Sequence, residues 1–578
     1  MTTSEQNIKQ LPLGIADFAR IARENYYYVD KTMFISRLEM ASSYLFIVRP
    51  RRFGKSLLLS MLKAYYDVNT KDKFDEWFGQ LWIGSHPTQY RNSYAMLHLD
   101  FSQVTGTIDE LSFRFNEYCC ILLNGFGQEY EHLFYPGFAQ DVCKERDANA
   151  KINFIGYKAK ICHVPLYLII DEYDNFTNTV LNQHGEDIYM GLTHGEGFYR
   201  DIFKLFKPNF ERVLMIGVSP VTMDDLTSGY NIATNITARA AFNQMLGFSE
   251  DDVREMFNYY KDAGLLSGDV EAMIEEMKPW YDNYCFAEES LKTESKMFNS
   301  NMVLYYLSNQ VAEGHSPKEM NDPNARTDYQ KMKKLIQLDK LEPQRKSIIY
   351  QIAENGYIDS RLVPYFPASE MVKFDNFVSL LYYYGMLTIT GTSGFTLRLG
   401  IPNNNVRKQY YGYLLEEYDR IRHINTYHID QAFQHAAISG DWQPLLSAIG
   451  DEYEKTCAVR CLIEGERNIQ GFFTAFLTMS PYYLTAPELE LNHGYCDFFL
   501  LPDLRRYPMV AHSYIVELKY LKADATQEEA DAQWTEARQQ ITRYASDEKV
   551  RLLCGPTQLH LVVVQFRGHQ MMRLEEVM

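Results

Sequence analysis

Two groups of residues suited to phosphate chemistry stand far apart in this chain of 578 residues. The first is Gly54-Lys55-Ser56, inside YLFIVRPRRFGKSLLLSMLKAYYD at positions 44–67. A lysine and a hydroxyl directly after a glycine are what a phosphate loop needs. The ammonium reaches the β- and γ-phosphates of a nucleotide and the hydroxyl oxygen holds Mg2+. The usual pattern, G-x-x-x-x-G-K-[ST], begins with a glycine, and Arg49 stands in that place. Chance alone puts GK[ST] into such a chain about 0.3 times, so the flanking residues decide. Tyr44–Val48 reads as a buried strand, and LLLSMLKAYY after the loop reads as a buried helix. Strand, basic loop, helix is the order that aims backbone N–H groups and the positive end of a helix at a phosphate. Arg52, Gly54, Lys55, Ser56 and Leu57 are the candidate nucleotide contacts. The plain alternative is a strand-to-helix turn with basic residues on its surface.

A phosphate loop needs acids on a second strand. VPLYLIIDEYDN (164–175) is a hydrophobic strand that runs straight into Asp171-Glu172. In a P-loop ATPase the first acid supports the Mg2+ shell and a following glutamate polarises the attacking water. RVLMIGVSP (212–220) ends in Ser219, a small polar residue placed to sense a γ-phosphate. These strands and MLHLDFS (96–102) alternate with helical stretches, which predicts an open, mostly parallel α/β sheet.

The second group lies near the carboxyl end. HGYCDFFLLPD (493–503), a turn rich in Arg and Pro, and AHSYIVELKYLK (511–522) read as a β-hairpin. Glu517 and Lys519 are two apart and share one strand face, and Asp497 can meet them across the ladder. An acid followed by E-x-K suits metal-assisted phosphodiester cleavage. Two carboxylates hold Mg2+, while the lysine orients or activates water and steadies the developing charge. About two E-x-K triplets occur by chance in such a chain, so strand placement and the spaced aspartate carry the signal. A solvated hairpin is the alternative.

Composition bounds what can position these residues. The chain is 46% hydrophobic, 14% aromatic and 23% charged, which is globular and long enough for two to four domains. A net charge of −18 excludes coating nucleic acid through the overall field. A nucleic-acid site has to be a local basic patch, for which Arg505, Arg506, Lys522, Arg538 and Arg543 are available. The amino end, MTTSEQNIKQ, lacks a signal-peptide core, and no run of about 18 apolar residues suggests a membrane span. Nine scattered cysteines without a C-x-x-C pair predict reduced thiols and a cytoplasmic location.

Several stretches point to a family. LPLGIADFARIARENYYYVDKTMFI (11–35), RPRRFGKSLLLSML, LIIDEYDN, MIGVSPVTMDDL and MLGFSEDDV resemble the prokaryotic AAA-ATPase-like family. In that family RPRRFGKS replaces the glycine-first loop, so the resemblance makes Arg49 part of a variant loop. It continues through KPWYDNYCF (278–286), FNSNMVLYYL (298–307) and YYGMLTITGTSGFTLRLGIPNNNVR (383–407). Asn283 stands where glycine is usual, and Asn also tolerates left-handed dihedrals. Residues 375–415 read as helix, short hairpin, helix, a winged-helix-like module that either binds DNA or packs as a structural lid.

EGERNIQGFFTAFL (464–477), ELNHGYCDFFLL (490–501), SYIVELKYLK (513–522) and ARQQITRYA (537–545) resemble the PD-(D/E)XK nuclease-like domain often fused to this ATPase. The resemblance assigns Asp497, Glu517 and Lys519 to the catalytic core and implies that Glu466 and Glu490 complete its metal site. Gln540 and Tyr544 match its later helix, and Gln470 stands where histidine is frequent. The expected architecture is an AAA-ATPase-like P-loop domain at 1–260, a helical lid and winged-helix-like region at 261–425, and a restriction-endonuclease-like α/β domain at 426–578. ATP and Mg2+ are the expected cofactors, and nucleic acid of unspecified type and a second copy of the chain are candidate partners. Two functions stay open: an ATP-driven enzyme with a metal-dependent nuclease, or a nucleotide switch whose nuclease-like domain only binds nucleic acid or a partner protein.

Overall fold

The computed structural model describes residues 8–104, 108–174, 198–221, 233–293, 295–322, 347–367, 370–421, 426–459, 466–491 and 494–577. They fall into two compact units. One is built from the described residues of Met1–Thr327, Lys334–Ile348 and Tyr357–Asn405, the other from those of Ile349–Gly356 and Val406–Met578.

The first unit is organised by five strands: β1 (Tyr44–Val48), β2 (Ala95–Asp100), β3 (Leu166–Asp171), β4 (Arg212–Gly217) and β5 (Thr234–Asn235). Their order is β2-β3-β4-β1-β5 and every neighbouring pair is parallel. β3 and β4 are buried along their whole length, as the unbroken apolar runs LYLII and VLMI require of central parallel strands. Parallel strands end at one edge, so the residues after β1, β3 and β4 converge there, where open α/β sheets bind ligands. The helix Lys55–Tyr66 leaves that edge and packs Leu58, Leu59, Met61, Leu62, Tyr65 and Tyr66 into the core. Of the region expected at 261–425, the described residues up to Asn405 cluster with this unit except Ile349–Gly356, which cluster with the other, as do those from Val406 onward. Those in this unit include a three-stranded antiparallel sheet, β6 (Tyr357–Ser360), β7 (Thr388–Ser393) and β8 (Thr396–Gly400), in the order β6-β8-β7. With the helices Phe374–Tyr383 and Asn404–Ile421 on either side in sequence, this is the helix, hairpin, helix order. Asn283 takes φ 76°, in the left-handed region.

The second unit holds β9 (Tyr483–Leu491), β10 (Gly494–Pro502), β11 (His512–Leu521), β12 (Gln558–Arg567) and β13 (Gln570–Glu576), in the order β13-β12-β11-β10-β9. β10 and β11 form the antiparallel hairpin, whereas β11 and β12 run parallel. A parallel step needs a crossover, supplied by the helices Gln527–Ala545 and Glu548–Cys554. Thr526 and Glu529 start the longer helix with a reciprocal capping box, and it buries Trp534, Ala537, Ile541 and Tyr544 against the sheet. The helices Thr426–Ser439 and Gln443–Val459 belong to this unit, tied to the sheet by Tyr514 Oη donating to Ala436 O and Trp442 Nε1 to Glu576. Among the described residues no helix is long and apolar enough to cross a membrane.

Candidate functional site

The loop between β1 and its helix is held from several sides. Arg49 is fully buried, its guanidinium donating to the carbonyls of Val48 (3.0 Å), Thr237 (2.7 Å) and Phe242 (3.2 Å). It also lies 4.2 Å over the Phe286 ring. Burial pushes its pKa down to about 10, which leaves it charged at neutral pH. Arg49 therefore ties the end of β1 to the chain beyond β5. Farther along, Arg51 O accepts from Asn299 Nδ2 (3.4 Å), Arg52 O from Ser300 Oγ (3.1 Å) and Asn301 N (3.3 Å), and Phe53 O from Gly247 N (3.0 Å). In a trans peptide the N–H points opposite to the carbonyl, so these anchors fix the direction of the next three N–H groups. Arg52 (φ 70°) and Gly54 (φ 87°) both take left-handed dihedrals. For arginine that conformation is strained, a feature that collects at ligand clamps.

Lys55 is buried and donates to the carbonyls of Arg49 (3.2 Å) and Pro50 (3.0 Å). Burial pushes its pKa down, and Asp171, Glu172 and Asp174 pull it back up. Ser56 Oγ donates to Asp171 Oδ2 at 2.7 Å, so the hydroxyl and acid expected to share Mg2+ are in contact. The Asp171 carboxyl is raised by burial and lowered by Ser56 and Lys55. Glu172 follows with φ 47°, its N–H donating back to Asp171 Oδ1 at 2.9 Å. Burial raises its pKa, and Arg51 opposes that most strongly. Asp174 is engaged elsewhere: its carboxylate accepts from the N–H groups of Val218 (3.1 Å) and Ser219 (2.7 Å), joining the turn after β3 to the end of β4. Ser219 is buried, accepts through Oγ from Val221 N, and lies outside the lining of the neighbouring cavity.

That cavity has a volume of about 630 Å3, within the roughly 300–1,000 Å3 of small-molecule sites. Its lining combines the loop residues Arg51, Arg52, Gly54, Lys55, Ser56 and Leu57 and the acid Glu172 with the apolar residues Pro12, Ile15, Val29, Leu246 and Met256. Lys31 bonds Asp252 (2.5 Å) and Tyr27 packs on Tyr259, holding the amino-terminal segment to the helix Glu250–Asp262. Sequence reasoning missed the roles of residues 12–31, 245–248 and 299–304. Their only local signal was that stretches 11–35, 245–253 and 298–307 belong to the family resemblance.

In the second unit, Asp497 Oδ2 accepts from Leu518 N at 2.7 Å, fixing the aspartate of β10 against β11. The Gln470 amide, on the helix Glu466–Leu477, donates to its other oxygen. Burial and then Glu517 push the Asp497 carboxyl well above its ordinary range. Glu517 is buried, and its Oε1 accepts from Lys519 Nζ at 2.7 Å. Lys519 also donates to Gln540 Oε1 (3.1 Å), whose Nε2 donates to the Tyr544 hydroxyl at 2.5 Å. Asp497, Glu517, Lys519, Gln540, Tyr544 and Gln470 thus meet in one network. A carboxylate whose proton affinity is raised by a second one beside it is part of a donor set a divalent cation relieves. Among the described side chains no cluster of three His, Cys, Asp or Glu residues has metal-holding geometry. Glu490 lies on β9 opposite Tyr495 and Glu466 opens its helix, and both side chains fall outside the described ones. Of the basic residues near the hairpin, Arg506 pairs with Asp503 (3.2 Å) and Arg538 lies 3.7 Å from Glu575.

Comparison with known proteins gives two family matches. The family described as Predicted AAA-ATPase matches residues 12–227, and the PD-(D/E)XK nuclease superfamily matches residues 464–576. An uncharacterized protein in the vnfD 5' region of Azotobacter chroococcum mcd 1 is 27% identical over 295 residues, covering 49% of this chain and 50% of that protein. The chain so spans about half the length of the curated relative it matches. The solved structure of the Aeropyrum pernix ORC2 protein (ADPNP-ADP complexes) aligns with a TM-score of 0.32 at 9% identity, over 69% of this chain and 98% of that one. That of the Aeropyrum pernix ORC1 protein in complex with DNA gives 0.25 at 8%, over 70% and 95%. The two family matches enclose both groups of candidate residues, and the chain joins an AAA-ATPase-like domain to a carboxy-terminal domain of the PD-(D/E)XK nuclease superfamily.

Proposed function

We propose that the first unit binds ATP with Mg2+ and hydrolyses it, and that the second is a Mg2+-dependent nuclease acting on nucleic acid. The observation that carries the nucleotide half is the 2.7 Å contact between Ser56 and Asp171, where Ser56 and Lys55 line a cavity that also has apolar walls. Ser56 and Asp171 would hold Mg2+, which supplies charge neutralisation to the phosphates. Lys55 pairs with the β- and γ-phosphates and the apolar lining takes the base. Glu172, its proton affinity raised by burial, accepts the proton of the attacking water. The water oxygen bonds the γ-phosphorus as the bond to the ADP oxygen breaks.

In the second unit Asp497 and Glu517 would hold Mg2+, which supplies a Lewis acid and a water of lowered pKa. Gln470 and the Leu518 N–H orient Asp497, and Lys519, steadied by Gln540, orients the attacking water. A second reading, a nucleotide switch whose nuclease-like domain binds without cutting, draws support from the acids beside Arg506 and Arg538, which thin the positive surface. The described cysteines are free thiols, in keeping with a cytoplasmic location.

The test uses purified full-length chain on supercoiled, linear and single-stranded DNA and on RNA, with and without Mg2+ and ATP. Mg2+-dependent cleavage by the wild type, absent in Asp497→Ala, is expected, as is loss of ATP binding in Lys55→Ala. Unchanged ATP affinity in Lys55→Ala removes the nucleotide site. Metal binding without cleavage of any substrate in any nucleotide state replaces the nuclease by the switch.

A further inference from the structure

The three arginines of RPRRFGKS have different surroundings. Arg49 is spent on backbone carbonyls inside the unit. Arg52 is held in a left-handed turn with its carbonyl bound by Ser300 and Asn301. Arg51 lies between two fixed points, Pro50, which packs against the backbone of Gly385, and its own carbonyl, which Asn299 holds. Arg51 lines the cavity with Lys55, Ser56 and Glu172. A second cationic residue therefore stands on a braced loop of the same cavity.

Phosphoryl transfer spreads negative charge over the γ-phosphate oxygens in the transition state, and an arginine placed there, in the same chain or from a neighbour, is worth about 10^3–10^5 in turnover. We propose that Arg51 is that arginine, supplied by the phosphate loop itself, so that one chain contains a complete hydrolytic site. This rests on the ATPase reading above. The guanidinium meets the γ-phosphate, which ADP lacks, so Arg51 contributes to the discrimination between ATP and ADP as well as to rate. A loop that carries its own arginine needs no second copy of the chain for hydrolysis.

The test compares full-length wild type, Arg51→Ala, Arg51→Lys and Lys55→Ala by calorimetry with ATP and with ADP and by phosphate release. Arg51→Ala should bind ADP as the wild type does, lose its preference for ATP, and turn over about 10^3-fold more slowly. Arg51→Lys should regain the preference and part of the rate. Wild-type specific activity should not change with protein concentration, and mixing Arg51→Ala with Lys55→Ala should restore nothing. Wild-type turnover and ATP preference in Arg51→Ala overturn the proposal, as does equal loss of ATP and ADP affinity, which would make Arg51 a brace. Activity recovered on mixing overturns it too, because the arginine would then act between chains. A wild type that binds neither nucleotide refutes the ATPase reading itself, a result distinct from all of these.

Discussion

Metal binding by the second unit should depend steeply on pH, and the structure sets the direction and size. The Asp497 carboxyl is pushed up to about 7, by burial first and by Glu517 second, against the Leu518 N–H, Lys519 and Gln470. A raised carboxyl favours the protonated form in the fold. Its contribution to stability is present at low pH and lost as pH rises through about 7, where the buried charge appears. A divalent cation binds the ionised form and reverses that loss. Between pH 8 and pH 6 the ionised fraction falls from about nine-tenths to one-tenth, so Mn2+ affinity should fall about tenfold, ~1.4 kcal/mol. Near pH 6 each ion bound should release close to one proton. Calorimetry in two buffers of different ionisation enthalpy measures both quantities. Lys519→Met removes a cation that holds the carboxyl down, so its affinity curve should move to higher pH. An affinity flat from pH 6 to 8 in the wild type, with no proton released, would refute the placement of Asp497 at the metal.

Glu172→Gln should bind ATP normally but hydrolyse it about 10^2–10^4-fold more slowly, whereas Asp171→Asn should mainly weaken Mg2+-dependent binding. Calorimetry with phosphate release separates the two, and equal loss of hydrolysis with no difference in binding would mean the roles are wrongly divided. Arg49→Met should lower stability by about 2–4 kcal/mol in a urea melt, since three carbonyls lose a charged donor inside the unit. A melt unchanged from wild type would show that those bonds are dispensable.

What the sequence made legible was local. A continuous apolar run, a Gly-Lys-Ser and a second apolar run locate β1, the loop and its helix, because each is set by neighbours within a few residues. The acids after β3 and the β10–β11 hairpin were readable for the same reason. Arg49 was not, since its partners Thr237, Phe242 and Phe286 lie about 190 residues or more away and nothing in RPRR marks the one guanidinium that turns inward. Nor was the engagement of Asp174 with the end of β4, which depends on the parallel pairing of β3 with β4. Ser219 illustrates the limit: a small polar residue after a strand signals a site only if its side chain leaves the core, and this one stays inside. The strained φ of Glu172 is invisible in sequence, because glutamate does not advertise a left-handed turn.

On the proposed ATPase reading, the arrangement of charge around Lys55 is that of a ligand site and not of a structural ion pair. Lys31 and Asp252 show what a structural pair looks like here: the ammonium meets the carboxylate directly, at 2.5 Å. Lys55 has Asp171, Glu172 and Asp174 near enough to bear on its pKa, yet its ammonium bonds the carbonyls of Arg49 and Pro50. Asp171 instead takes the Ser56 hydroxyl and the Glu172 N–H, and Asp174 takes two further N–H groups. Burying opposite charges close together without joining them forfeits the Coulombic gain that would offset their desolvation. Burial moves Lys55, Asp171 and Glu172 each toward its neutral form, as that cost requires. A triphosphate beside the lysine and a divalent cation beside Ser56 and Asp171 would restore the missing interactions on both sides at once. The separation of the charges is thus better explained by a phosphate and a metal that come between them than by the stability of the fold.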